Sequence, residues 1–274
     1  MSVFVLPSVR LPLVRAVEGN AEEVIINESL LEYIDQLKCM KNETYCKLSS
    51  VCGIHEPIPF FKYLEVFQTF PFHRSPIRTH FFGEANGPSQ KAFQRVRGAV
   101  KDVSEPDVAE ADLVVAETLD HGTLFDYVRT VLHKQKKDST LILHVPDLFG
   151  IGMVQILYII AACYKTVSIY TPMVHTGQTK FIVAANLQRN LDLKEPPPYS
   201  FELTQFFLVK LIEINTMIGQ KRLEQTRFNS NCDYECVIWK SKYLSGFHDV
   251  HFDAHGRSNK VQERTKTAHC NAVD

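Results

Sequence analysis

Residues 79–93 form the run whose residue types and spacing most directly suggest chemistry. Phe81 and Phe82 lead into an acid, Glu84, after which Asn86, Gly87 and Pro88 make a turn and a helix opens at Ser89. An acid at the carboxyl end of a strand accepts hydrogen bonds from hydroxyl groups. A glycine turn before a helix N-terminus lets backbone N–H groups come close to a ligand. Glu84, Ala85, Asn86, Gly87 and Ser89 are therefore candidates for binding a nucleoside-bearing ligand. The plainer alternative is a solvated acid in an ordinary strand-to-helix turn.

Further candidates lie downstream. Glu117 closes an apolar run, and acids at strand ends of open α/β sheets often face the ligand crevice; Asp120 is its rival. Asp102 and Asp107, in a polar linker, are weaker candidates for an adenosine contact. His144 ends another apolar run, and its ordinary pKa near 6.5 makes it a potential base or a histidine simply satisfied by neighbours. Two groups of potential metal ligands occur: Cys39, Cys46, Cys52 and His55, and Cys232, Cys236, His248, His251 and His255. Structural zinc favours tight Cys or His pairs. The second, with Cys232-x3-Cys236 and His251-x3-His255, fits zinc better, but neither group contains a Cys-x2-Cys pair, so scattered thiols and histidines are the favoured expectation and no metal is assigned.

The elements that must position these residues follow from periodicity. Residues 1–20, interrupted by Pro7, Pro12 and Gly19, read as an extended arm, and 21–47 as helical. Residues 60–69 form a helix that Pro71 and Pro76 end. Strand and helix then alternate: strands over 78–84, 112–116, 139–145, 166–171 and 179–185, and helices over 89–98, 122–135 and 150–164. Short apolar strands separated by helices predict a mostly parallel sheet covered on both faces. The last two strands are joined by too short a segment for a crossover helix, so they pair antiparallel. A long helix over 200–226 follows the Pro196, Pro197 and Pro198 boundary, and the polar tail from about 245 is expected to be disordered.

Composition excludes several classes. The 274 residues carry a net charge of −1, so no overall basic field drives nucleic-acid binding. Local basic groups remain available: Arg74 and Arg78 before the first core strand, Lys91, Arg95 and Arg97 on the next helix, and Lys134, Lys136 and Lys137 beyond. No apolar run is long enough to span a bilayer, and no secretory leader pattern is expected at the N-terminus. The 7 cysteines, odd in number and irregular in spacing, fit a reducing, intracellular and cytoplasmic setting.

The order of these motifs resembles the FtsJ-like family of RNA ribose 2′-O-methyltransferases, in particular divergent viral capping forms, over residues 60–186. The run 84–90 is similar to the family's acid-led cofactor loop. Asp112 to Glu117 resembles the strand that delivers its catalytic Asp, and Leu141 to Val145 the strand that carries its catalytic Lys. Residues 170–184 resemble its closing hairpin. The resemblance implies a Rossmann-like methyltransferase fold, α/β, with a mostly parallel sheet, an antiparallel terminal hairpin and helical N- and C-terminal extensions. It divides the chain into an arm and helical extension (1–59), a methyltransferase-like core (60–193), a helical extension (194–244) and a polar tail (245–274).

The resemblance further implies S-adenosylmethionine as cofactor, held by residues 84–90. It implies transfer of a methyl group to a ribose hydroxyl of RNA, such as a capped mRNA, within a capping or replication complex, in the host cytoplasm for a viral form. The family's Lys-Asp-Lys-Glu tetrad maps onto Lys62, Glu117, His144 and Thr179. Glu117 keeps an acid one methylene longer. His144 lacks a lysine's permanent charge, and Thr179 has no carboxylate. The loop also keeps a single glycine. The rival expectation is a catalytically degenerate, methyltransferase-like scaffold or RNA-binding domain.

Overall fold

The computed structural model describes residues 2–15, 17, 44–70, 77–83, 86–97, 106–117, 120–145, 148–173, 180–227 and 232–244. Among them run β1 (Ser2–Val5), α1 (Thr44–Cys52), α2 (Ile58–Thr69), β2 (Thr79–Phe82), α3 (Pro88–Arg97), β3 (Leu113–Glu117), α4 (His121–Lys134), β4 (Thr140–Val145), α5 (Ile151–Cys163), β5 (Tyr164–Thr171), β6 (Lys180–Leu187), α6 (Gln205–Arg227) and α7 (Cys232–Leu244).

The six strands form one mixed sheet in the order β1-β5-β6-β4-β3-β2. β2, β3 and β4 are parallel, and each crossover between them carries a helix. The chain then reverses. β6 inserts between β4 and β5 and runs antiparallel to both, as the short β5–β6 connection requires. The arm expected at the N-terminus contributes a strand instead. Residues Ser2–Val5 pair antiparallel with β5, and Phe4 packs inward while Val3 and Val5 stay exposed. That alternation is the period of a half-buried edge strand, and Pro7 follows soon after it.

Alternation along the strands divides the core. Val114, Ala116, Leu141, Leu143, Val145, Ile169 and Ile182 face α4, α5 and α6. Leu113, Val115, Ile142, Tyr170, Phe181 and Val183 face α2, α3 and α7. α5 is apolar on every side and buried along nearly its whole length, because the sheet lies beneath it and the 199–214 segment above it. Its one amide, Gln155, is buried and bonded at both ends: Nε2 donates to Tyr199 O at 3.0 Å, and Oε1 accepts from Tyr199 N at 2.9 Å. α2 is equally enclosed, with every residue from Phe60 to Phe67 buried, including Lys62 and Glu65. Most of the helix expected over 21–47, and the tail from 245, lie outside the described residues.

Candidate functional site

Glu117 and His144 are cross-strand partners at the carboxyl ends of β3 and β4. Both follow the parity of Leu113, Val115 and Ile142, so both point to the face that α2 covers. α2 lays Lys62 and Tyr63 over this pair. Tyr63 meets the His144 ring edge-on at 5.9 Å between centroids, and Phe181 stacks on the other side of His144 at 4.7 Å and 20°. The fold thus brings Lys62, Glu117 and His144 to one place, although they are separated by up to 82 positions in sequence (144 − 62).

The electrostatics of this cluster follow from its enclosure. His144 is 4% exposed, and burial together with the positive charge of Lys62 pulls its pKa down to about 3. Its imidazole is therefore neutral across the physiological range. Neither His144 nitrogen has a hydrogen-bond partner among the described residues, and the Tyr63 hydroxyl has none either. Burial and the Glu117 carboxylate push the Tyr63 hydroxyl well above its ordinary pKa. Three unsatisfied polar atoms on two touching rings mark a place where the fold tolerates a cost that it avoids elsewhere.

The remaining predicted residues are distributed as follows. Thr179, Glu84, Ala85 and Asp102 lie outside the described residues, as do Arg74, Cys39, His248, His251 and His255. Asn86 takes the left-handed backbone at φ 60°, and its N–H donates to Gln90 Oε1 at 2.7 Å, which ties the turn to the first turn of α3. Among the described residues of this loop, positive φ belongs to Gly83 and Asn86 and not to Gly87, the glycine that the sequence singles out. Ser89 is buried beneath the start of α3. Asp120 caps α4 by accepting from Thr123 N at 2.7 Å. Asp107 accepts from Val108 N at 2.7 Å. Both aspartates thus have local structural roles. No group of three or more potential ligands suited to a metal occurs among the described residues.

Several of the basic residues expected near a nucleic-acid groove have acidic partners. Arg78 lies 3.6 Å from Glu110 and 3.8 Å from Asp112, and Lys91 pairs with Glu56 at 3.1 Å. Lys136 bonds to Asp112. Burial raises the Asp112 pKa, but the bonds from Lys136 and the Arg78 N–H outweigh it and hold the carboxyl below its ordinary value. Arg97 donates to Ile77 O at 3.2 Å.

Sequence reasoning missed three buried polar residues. Tyr63 adjoins Lys62, and Glu65 lies in the Phe60–Phe67 run, where Lys62 is the only other charged residue; a buried acid there was the available signal. Lys180, next to Thr179, is 2% exposed, but it follows the parity of Ile182 and so belongs to the opposite face from His144. Its ammonium lies 4.6 Å from the Phe149 ring centroid. No protein-family model matches the chain, and no curated protein matches it.

Proposed function

We propose that this chain is a catalytically silent relative of the S-adenosylmethionine-dependent RNA ribose 2′-O-methyltransferases, a methyltransferase-like scaffold that keeps the arrangement of the site without its chemistry. The strand order supports the fold part of this reading: parallel strands end in a reversed pair whose last strand inserts beside the parallel ones. One observation carries the functional part. Where the resembled enzymes place a charged lysine, this chain places a buried, neutral imidazole wedged between Tyr63 and Phe181. Methyl transfer to a ribose hydroxyl depends on positioning and on charge that favours the alkoxide. A neutral ring supplies no such charge. A base with a pKa near 3 is also poorly matched to proton abstraction near pH 7. The acid-paired basic residues favour a role in assembly over one in gripping RNA.

A second reading, an active ribose 2′-O-methyltransferase on capped RNA, is favoured by the convergence of Lys62, Glu117 and His144 and by the left-handed Asn86 turn. Transfer of labelled methyl from S-adenosylmethionine to capped RNA separates the two. The scaffold reading expects no transfer above the protein-free rate at millimolar cofactor. Transfer that disappears in Glu84→Ala or His144→Ala would establish the enzyme.

A further inference from the structure

On α2, three residues past Lys62 and on the same stripe of the helix, Glu65 is completely buried. Its Oε1 accepts from Trp239 Nε1 at 2.6 Å, and its Oε2 accepts from Met173 N at 2.7 Å and from the Tyr170 hydroxyl at 3.1 Å. Thr69, one turn further along α2, lies 3.2 Å from the same Tyr170 hydroxyl. Trp239 belongs to α7, where its ring meets Phe61 edge-on at 5.5 Å and lies 5.3 Å from Tyr243. Among the described side chains of α7, Cys236, Trp239 and Tyr243 form a buried stripe. Burial, and then the Glu65 carboxylate, push the Tyr243 hydroxyl up to about 12.

A carboxylate enclosed in this way is stable only with its donors in place, so it fixes the elements that supply them relative to the helix that carries it. The donors come from the end of β5 and from α7. The helix so fixed is the one that lays Lys62 and Tyr63 over His144.

We propose that α7 is a strap that sets the candidate site, and that Glu65 and Trp239 are positioning residues. By seating the Trp239 indole on Glu65, α7 fixes the rotation of α2 and thereby holds the Lys62 charge near His144. The inference concerns the site on which the proposed function rests, but it rests on that site's geometry. Its test reads that geometry and not methyl transfer, so either proposal can fail alone.

Reductive methylation of the full-length chain with formaldehyde, read lysine by lysine by mass spectrometry, measures the effect. Lys62 and Lys180 are both almost completely buried, on opposite faces of the sheet, so Lys180 is the internal control. Trp239→Phe keeps an aromatic ring and removes the N–H donor together with part of the buried indole, whereas Glu65→Gln keeps the side-chain shape and volume. Both variants are expected to raise the modification rate of Lys62 about ten-fold while Lys180 stays as protected as in the parent chain. Tyr170→Phe, which removes the β5 hydroxyl and its bond to Tyr243 but keeps the Trp239 indole on Glu65, is expected to raise it less. Three results would overturn the proposal: unchanged Lys62 protection in folded Trp239→Phe, a parallel rise at Lys180, or equal exposure of Lys62 in Tyr170→Phe.

Discussion

His144 lies directly across from Glu117 on adjacent parallel strands, yet burial and the nearby charge of Lys62 hold the imidazole neutral. A carboxylate beside a histidine ordinarily favours the charged ring. Here enclosure acts the other way and acts first, and the lysine adds to it. The same enclosure and nearby lysine that make the site look assembled therefore remove the charge that the assembled chemistry would use.

This has a consequence for stability against pH. The unfolded chain binds a proton at residue 144 near pH 6.5, and the folded chain does so only near pH 3. The stability contributed by keeping this ring neutral is complete above the unfolded pKa and is lost as pH falls below it. The loss is about 1.4 kcal/mol per pH unit. Urea denaturation at pH 7 and pH 5 should show the gap between the parent chain and His144→Phe changing by about 2 kcal/mol in favour of the variant at the lower pH. A gap that stays constant would mean that the ring is solvated or already charged in the folded state.

The orphaned polar atoms make a second prediction. Phe at position 144 fills the space between Tyr63 and Phe181 without burying two unmet nitrogens, and Phe at position 63 removes an unmet hydroxyl. At pH 7, His144→Phe should be more stable than the parent by about 1–2 kcal/mol, and Tyr63→Phe should be neutral or slightly stabilising. Loss of more than about 1 kcal/mol in either variant would show that these atoms have partners in solution.

Gln155 should behave in the opposite way. Its amide holds both backbone groups of Tyr199, and so fastens the 199–204 segment to α5. Gln155→Leu leaves the Tyr199 N–H and C=O buried without those partners. A cost of about 2–4 kcal/mol is expected, with faster amide exchange at Tyr199. Unchanged exchange there would mean that the amide does not fasten the segment.

At the loop before α3, the left-handed backbone of Asn86 separates residue types. Asn86→Gly should leave thermal stability within about 0.5 kcal/mol of the parent, whereas the β-branched Asn86→Val should cost about 1–2 kcal/mol. Equal melting temperatures for the two variants would place Asn86 in an ordinary backbone region.

Most of the alternating core was legible because continuous apolar runs such as Leu113–Ala116 and Leu141–Val145 bury both faces of a strand, and the short β5–β6 connection leaves only an antiparallel pairing. β1 was hidden by brevity: four residues beside Pro7 look like an arm until β5 offers an edge to pair with. Lys62, Glu117 and His144 were named from the order of motifs, and that order says nothing of how deeply α2 covers them. The neutrality of His144 depends on that depth. Glu65 was passed over because its donors, Met173, Tyr170 and Trp239, are about 105 to 174 positions away. A single acid in an apolar helix announces burial but not its partners. Asp120, a rival of Glu117 by residue type alone, is separated from it by helix-capping geometry.

The neutrality of the His144 ring is the claim on which the functional account turns, and nitrogen NMR of the histidine-labelled chain reads it directly. The His144 resonances are assigned by their loss in His144→Phe and followed from about pH 7.5 to 4.5, across the range where an ordinary histidine titrates. The account predicts shifts of a single neutral tautomer throughout. A titration with its midpoint near the ordinary histidine value would contradict it, and would restore to this position a base able to take part in transfer.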